Sequence, residues 1–178
     1  MSEPQPTPTP AATPLAPIRL VITGHNTSGA STVIEDKVAH GRAFNDKPNS
    51  ALSTSLFRTD VQKPTNDVDF VESQVKGPVV GEEGSTFSAT DLPPHSVTPF
   101  HRTISLDYAI VTSGNIICQL NHGVRVPLKA GDVIVQRGTI HAWRNETDEW
   151  ARIFCTMIAS KPVGVAGKTL TTTFFPIE

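Results

Sequence analysis

Pro99-Phe-His-Arg-Thr-Ile-Ser-Leu-Asp-Tyr-Ala-Ile-Val-Thr-Ser-Gly114 is the stretch on which the fold turns. Side chains on an extended strand alternate faces, so His101, Thr103, Ser105 and Asp107 share one side while Leu106, Tyr108 and Ile110 share the other. A polar row backed by an apolar row is the pattern of a strand whose concave side lines a pocket rather than a dry core. A second stretch, Gly131-Asp-Val-Ile-Val-Gln-Arg-Gly-Thr-Ile-His-Ala-Trp-Arg-Asn145, leaves a Gly-Asp turn as a strand. It ends at Arg137-Gly138 and delivers His141 just beyond. Two imidazoles and one carboxylate then converge. That donor set suits Fe(II) and leaves coordination positions open for substrate or oxygen.

Working outward, short runs rich in Val, Ile, Leu and Thr recur at steady spacing: Ser85–Asp91, Ser105–Thr112, Asn115–Leu120, Val124–Leu128, Asp132–Gln136 and Ala151–Ala159. Turn signals separate them, among them Pro93-Pro94, Ser113-Gly114-Asn115 and Asn121-His122-Gly123. Many short strands without a helical period of useful length predict an all-β barrel or sandwich. Further strands are expected at Ile18–Thr23, Ser31–Val38 and Leu52–Arg58. The irregular stretch from Pro48 to Glu83 reads as loops with one or two edge strands. Residues 1–17, rich in Pro, Thr and Ala, cannot bury enough surface to offset their ordering entropy and read as a disordered tail. One domain over 18–178 is expected, its core about 85–162.

The two quoted stretches resemble the paired motifs of the cupin superfamily. Its first motif reads Gly, five residues, His-x-His, three or four residues, Glu, six residues, Gly. His101 takes the first His position, Thr103 the second, Asp107 that of Glu, and Gly114 closes the motif; His95 stands at the opening Gly. Gly138, His141 and Asn145 keep the register of the second motif, with Arg137 near its usual Pro. The resemblance implies a single jelly-roll β-barrel. The wording His-Arg-Thr-x-Ser-x-Asp-Tyr, then Gln-Arg-Gly-Thr-x-His-Ala-Trp-x-Asn, is similar to a group common in filamentous fungi. Some members of that group are encoded in polyketide clusters and described as cupin-domain oxidoreductases, notably in clusters making salicylaldehyde-type compounds, which implies an oxidoreductase acting on a small polyketide-derived molecule. The resemblance is specific over about Phe87–Pro162.

His101, Asp107 and His141 are thus the expected catalytic and metal-holding residues, with Fe(II) first and Mn or Zn as alternatives. Thr103, Ser105, Arg137 and Trp143 are the expected substrate pocket. Asp107 reads as ligand, base, or buried partner of a cation, for which Arg137 is the candidate, because an unpaired carboxylate inside a barrel is costly. Thr103, a poor ligand where the family has His, keeps two alternatives open. One is metal-free acid–base catalysis of isomerisation or dehydration; the other is a non-catalytic small-molecule-binding module. His95 is expected at the surface, and Tyr108 faces away from His101.

A net charge of −2 and a pI near 6.3 give no electrostatic reason to bind nucleic acid or anionic membrane. The partner expected is a small-molecule substrate, and open strands before residue 85 allow a homodimer. Cys118 and Cys155 lie in strand-like runs and read as free thiols of a reducing compartment. Cytoplasm is the expected location.

Overall fold

The computed structural model describes residues 13–45, 47, 49–67 and 79–175. Within them β1 (Ile18–His25) and β2 (Ser31–Ala39) form a hairpin, followed by β3 (Arg42–Ala43) and β4 (Leu52–Thr59). The central series is β5 (Ser85–Leu92), β6 (Ser96–Val97), β7 (Phe100–Arg102), β8 (Ser105–Ser113), β9 (Asn115–Leu120), β10 (Arg125–Lys129), β11 (Val133–Arg137), β12 (His141–Asn145) and β13 (Ala151–Ala159). A second hairpin, β14 (Val163–Val165) with β15 (Lys168–Leu170), precedes β16 (Thr173–Phe175). No helix among the described residues is long and apolar enough to cross a membrane.

The ladders assemble into two six-stranded antiparallel sheets, β10-β9-β12-β7-β16 with β6 beside β12, and β11-β8-β13-β5-β4-β3. This is the all-β architecture the strand spacing predicts and the jelly roll the resemblance implies, in the form of two facing sheets rather than one closed ladder. The expected strands from Ser85 to Ala159 are all present, with ends moved by a residue or so. Before them an edge strand is present as expected: β4 borders its sheet, with only the two-residue β3 beyond it at Leu52 and Ser53, and its Leu52, Thr54 and Leu56 are buried. Within that stretch Pro48 and 68–78 fall outside the described residues, as do 1–12 of the expected tail. Ala16, at that tail's end, gives its carbonyl to Arg152 Nη1 at 2.7 Å.

Position along each strand decides between core and cavity. At one end of the sandwich Leu92, Val111 and Ile153 meet Ile116, Leu128 and Trp143 in a continuous apolar core. A few residues further along the same strands, β5 turns Ser88 and Thr90 inward, β8 turns Asp107 and β13 turns Cys155 and Met157. That end holds a cavity instead.

The motif glycines have a backbone reason. Gly114 has φ +70°, and a Cβ there would stand 2.7 Å from the Trp150 carbonyl oxygen. His95, where the family places Gly, takes φ +52° with a side chain. It lies at the surface, as expected, with Nε2 2.7 Å from Asp148 Oδ1.

Asn145 ties the ends of three segments together. Its wholly buried amide donates to the carbonyls of Leu92, Pro93 and Glu149 at 3.1, 3.0 and 2.7 Å. Its Oδ1 accepts from Thr147 N at 3.0 Å. Asn145→Ala strands buried carbonyls and is expected to cost about 2 kcal/mol, read as a lowered urea midpoint at unchanged slope. An unmoved midpoint would show the hub to be dispensable.

Candidate functional site

The chain crosses from one sheet to the other within the stretch expected to be a single strand. β7 ends at Arg102, Thr103 and Ile104 make the crossing, and β8 starts at Ser105. His101 therefore belongs to one sheet and Asp107 to the facing one. His141 opens β12, directly paired with His101 on β7. Their rings lie with centroids 4.4 Å apart.

Both histidines are held the same way. His101 Nδ1 lies 3.0 Å from the Pro99 carbonyl, and His141 Nδ1 lies 3.0 Å from the Thr139 carbonyl. A carbonyl only accepts, so each Nδ1 carries the proton and each Nε2 keeps a bare lone pair. Burial lowers the pKa of His101. Burial, then repulsion from His101, pushes His141 down to about 4. Both rings are neutral near pH 7, and two neutral imidazoles stand side by side.

The carboxylate is treated in the opposite way. Burial pushes Asp107 up to about 6, against the lowering effect of a hydrogen bond from Ser105. Its Oδ1 is buried without a hydrogen-bond partner. Cys155 is pushed up to about 12 by burial and by Asp107, so it is an inert thiol at neutral pH. Cys118 is buried, and neither cysteine forms a disulfide.

His101, Thr103, Asp107, His141 and Trp143 line one cavity of about 140 Å³. That is the scale of a cavity that takes up a single benzene-sized ring. Trp143 stands edge-on to His141 at 5.2 Å, walling the site. Ser105 is buried behind the lining, its hydroxyl 2.6 Å from that of Thr103.

Arg137 is not brought there. Gln136 pairs opposite Asp107 in the ladder and turns inward, so alternation sends Arg137 to the exposed outer face. The expected Arg137–Asp107 ion pair is therefore absent, which agrees with the orphaned Oδ1. Gln136 instead donates to Cys118 Sγ at 3.2 Å and accepts from Thr139 Oγ1.

Cavity residues that sequence reasoning missed come from distant segments: Phe44 just after β3, and Ser88, Thr90, Met157 and Phe174 on strands. Phe174 pairs across β16–β7 with His101 and stacks on its ring at 5.8 Å and 11°. An aromatic-rich C-terminal run signals a strand, but nothing local says which sheet it joins. Thr103 and Phe174 also border a neighbouring cleft of about 590 Å³ lined by Val79, Val80, Ile104 and Thr172.

A metal fits this donor set in part. Two bare Nε2 atoms are good ligands for Fe(II), Mn or Zn, with the carbonyl-bonded Nδ1 that metal-binding histidines commonly show. The three-ligand set is not assembled, however: no three His, Cys, Asp or Glu among the described residues stand in a metal-holding arrangement. His101 and His141 stand on one sheet and Asp107 on the facing one, all three lining the same cavity.

Comparison with known proteins agrees with this architecture. The family described as Cupin domain matches residues 89–157. The chain is 34% identical over 158 residues to Phomopsin biosynthesis cluster protein C' of Diaporthe leptostromiformis, covering 84% of this chain and 82% of that protein. It is 30% identical over 158 residues to the cupin-domain-containing oxidoreductase fogC of Aspergillus ruber, covering 84% and 76%. Against the cupin-domain-containing oxidoreductase virC of Hypocrea virens it is 32% identical over 148 residues, covering 80% and 76%.

Proposed function

The chain belongs to the cupin-domain family, and from that premise we propose that it is an oxidoreductase of fungal secondary metabolism acting on a small, polyketide-derived organic molecule in the cytoplasm. The observation that carries the reading is the pair of neutral imidazoles with bare Nε2 atoms facing a buried, partnerless carboxyl oxygen in one apolar-walled cavity. The inner cavity takes a ring, and the adjoining cleft past Thr103 and Phe174 takes a chain attached to it.

In this reading His101 and His141 hold a divalent transition metal, Fe(II) first and Mn or Zn as alternatives. Such a metal, when bound, supplies redox or Lewis-acid chemistry. Asp107, with its pKa near 6, holds or releases a proton at Oδ1 toward the bound molecule. Trp143 and Phe174 pack on the histidine rings from two sides and fix them.

Metal analysis of anaerobically purified protein tests the assignment. H101A and H141A are expected to lose bound metal to background. D107N keeps it while turnover falls by about 10²–10⁴-fold. Loss of metal in D107N would make Asp107 a third ligand instead. Failure of wild type to bind Fe(II), Mn(II) or Zn(II) would remove the metal from the proposal.

A second reading is favoured by the protonation pattern alone. A carboxyl group titrating near 6 opposite two neutral imidazoles is an acid–base set for isomerisation or dehydration without metal. Turnover that survives exhaustive chelation would select it.

A further inference from the structure

Asp107 shares its sheet with three further polar groups that face the cavity. β4 turns Ser53 inward, and β5 turns Ser88 and Thr90 inward, opposite the sheet that carries His101 and His141. Ser88 is only 9% exposed. None of the three hydroxyls forms a hydrogen bond with a described residue. Elsewhere in the site the hydroxyls are used: Thr103 and Ser105 bond each other at 2.6 Å, and Thr98 Oγ1 accepts from Trp143 N at 2.9 Å.

The neighbouring inward positions are apolar. Leu92 follows Thr90 on β5, and Ile153, across the ladder from Thr90, belongs to the core. Valine satisfies a strand as well as threonine does, whereas a secluded hydroxyl without a partner costs free energy. Three of them on one wall make a surface suited to a ligand that carries oxygens, and their spacing sets how many. Ser53 and Thr90 pair directly across β4–β5, about 5 Å apart at Cβ. One ligand oxygen can reach both at hydrogen-bond lengths of about 2.8 Å. Ser88 lies two residues from Thr90 along β5, about 6.6 Å away, too far to share that oxygen. It needs a second one. On a six-membered ring two oxygens in a 1,3 relation span such a gap, and two in a 1,2 relation do not.

We propose that Ser53, Ser88 and Thr90 are the specificity-determining wall of the substrate site, and that the ring bound there carries oxygen substituents in a 1,3 relation. This rests on the reading of the cavity as the substrate site. The oxygenated edge of the ring faces β4 and β5, and its opposite edge faces His101 and His141. A cavity of about 140 Å³ takes one such ring.

Calorimetric titration of the metal-free full chain, in chelator, with toluene, 3,4-dihydroxytoluene and 3,5-dihydroxytoluene tests this. The 3,5 isomer is expected to bind about 100-fold tighter than toluene, about fivefold for each of three hydrogen bonds gained. The 3,4 isomer binds about fivefold more weakly than the 3,5 isomer. Ser53→Ala, Ser88→Ala and Thr90→Val each cut the preference of the 3,5 isomer over toluene about fivefold. The triple variant brings it near one, while toluene affinity within twofold of wild type shows the cavity intact. Where the triple variant does not fold, the single variants read the same ratio. A wild-type ratio near one overturns the proposal, as does failure of the 3,5 isomer to bind, a 3,4 isomer that binds as tightly, or a ratio unmoved by the substitutions. Neither metal nor turnover enters the measurement. A chain that takes up no metal thus leaves the ring preference standing, and loss of the preference leaves the metal assignment standing.

Discussion

Arg152→Met alone is expected to lower stability by about 3–5 kcal/mol, and Asp91→Leu alone by a similar amount. The two residues face each other across the β13–β5 ladder. Arg152 Nε lies 2.5 Å from Asp91 Oδ1, and Nη2 lies 2.7 Å from Oδ2. Their side chains are only 11% and 5% exposed. Removing either partner leaves a buried charge with no counter-charge, which costs far more than the pair itself is worth. Arg152→Met also strands the Ala16 carbonyl and so loosens the N-terminal segment from the sheet. In a domain of this size the single variants should melt about 10 °C below wild type. The double variant, with both charges gone, should recover most of the loss. Thermal melts of the three variants measure this asymmetry; single variants within about 1 kcal/mol of wild type would show the pair to be effectively solvated.

Asp107→Asn is expected to stabilise the metal-free protein at pH 7.5 by about 3 kcal/mol, the second large effect. Burial raises this carboxyl from 3.8 to about 6, roughly two pH units at about 1.4 kcal/mol each. The folded state holds the proton more tightly than the unfolded chain. Its stability is therefore fully present below the unfolded value near 3.8 and drains away as pH rises through 6. Asparagine keeps the shape and removes the ionisation, so the advantage of D107N should vanish by about pH 4. His141 runs the other way: depressed to about 4, it gives stability that is present above 6.5 and lost as pH falls through 4. The two opposite slopes partly cancel in wild type and separate in D107N, whose acid limb should steepen. Urea titrations in chelator at several pH values test this. A D107N protein less stable than wild type at pH 7.5 would refute it. If the prediction holds, the fold carries a destabilised carboxyl that its proposed chemistry requires.

Much of the scaffold between Ser85 and Ala159 was legible because strand periodicity and turn chemistry are local properties. Gly114 and Gly138 announced turns whose φ values, +70° and +61°, are left-handed. Trp143 shares the parity of His141 and does wall the cavity. Arg137 misled because the bulge-free β11 ladder puts Gln136, not its neighbour, opposite Asp107. Arg152 carried a signal, a charge inside the apolar run of β13, but nothing in one strand names its partner in another. Phe174 lies sixty residues beyond the end of the first motif at Gly114 and reaches His101 only through a non-local ladder.

Sequence by itself determined the all-β class and the inward-facing parity of His101, Asp107 and His141, which line one cavity, since alternation and turns act over a few residues. Only the tertiary structure decided that the chain changes sheets at Thr103–Ile104. The β7–β12 ladder sets the histidines side by side and the crossing puts the carboxyl on the facing sheet, because strand pairing is chosen by the whole sandwich and not by any one strand.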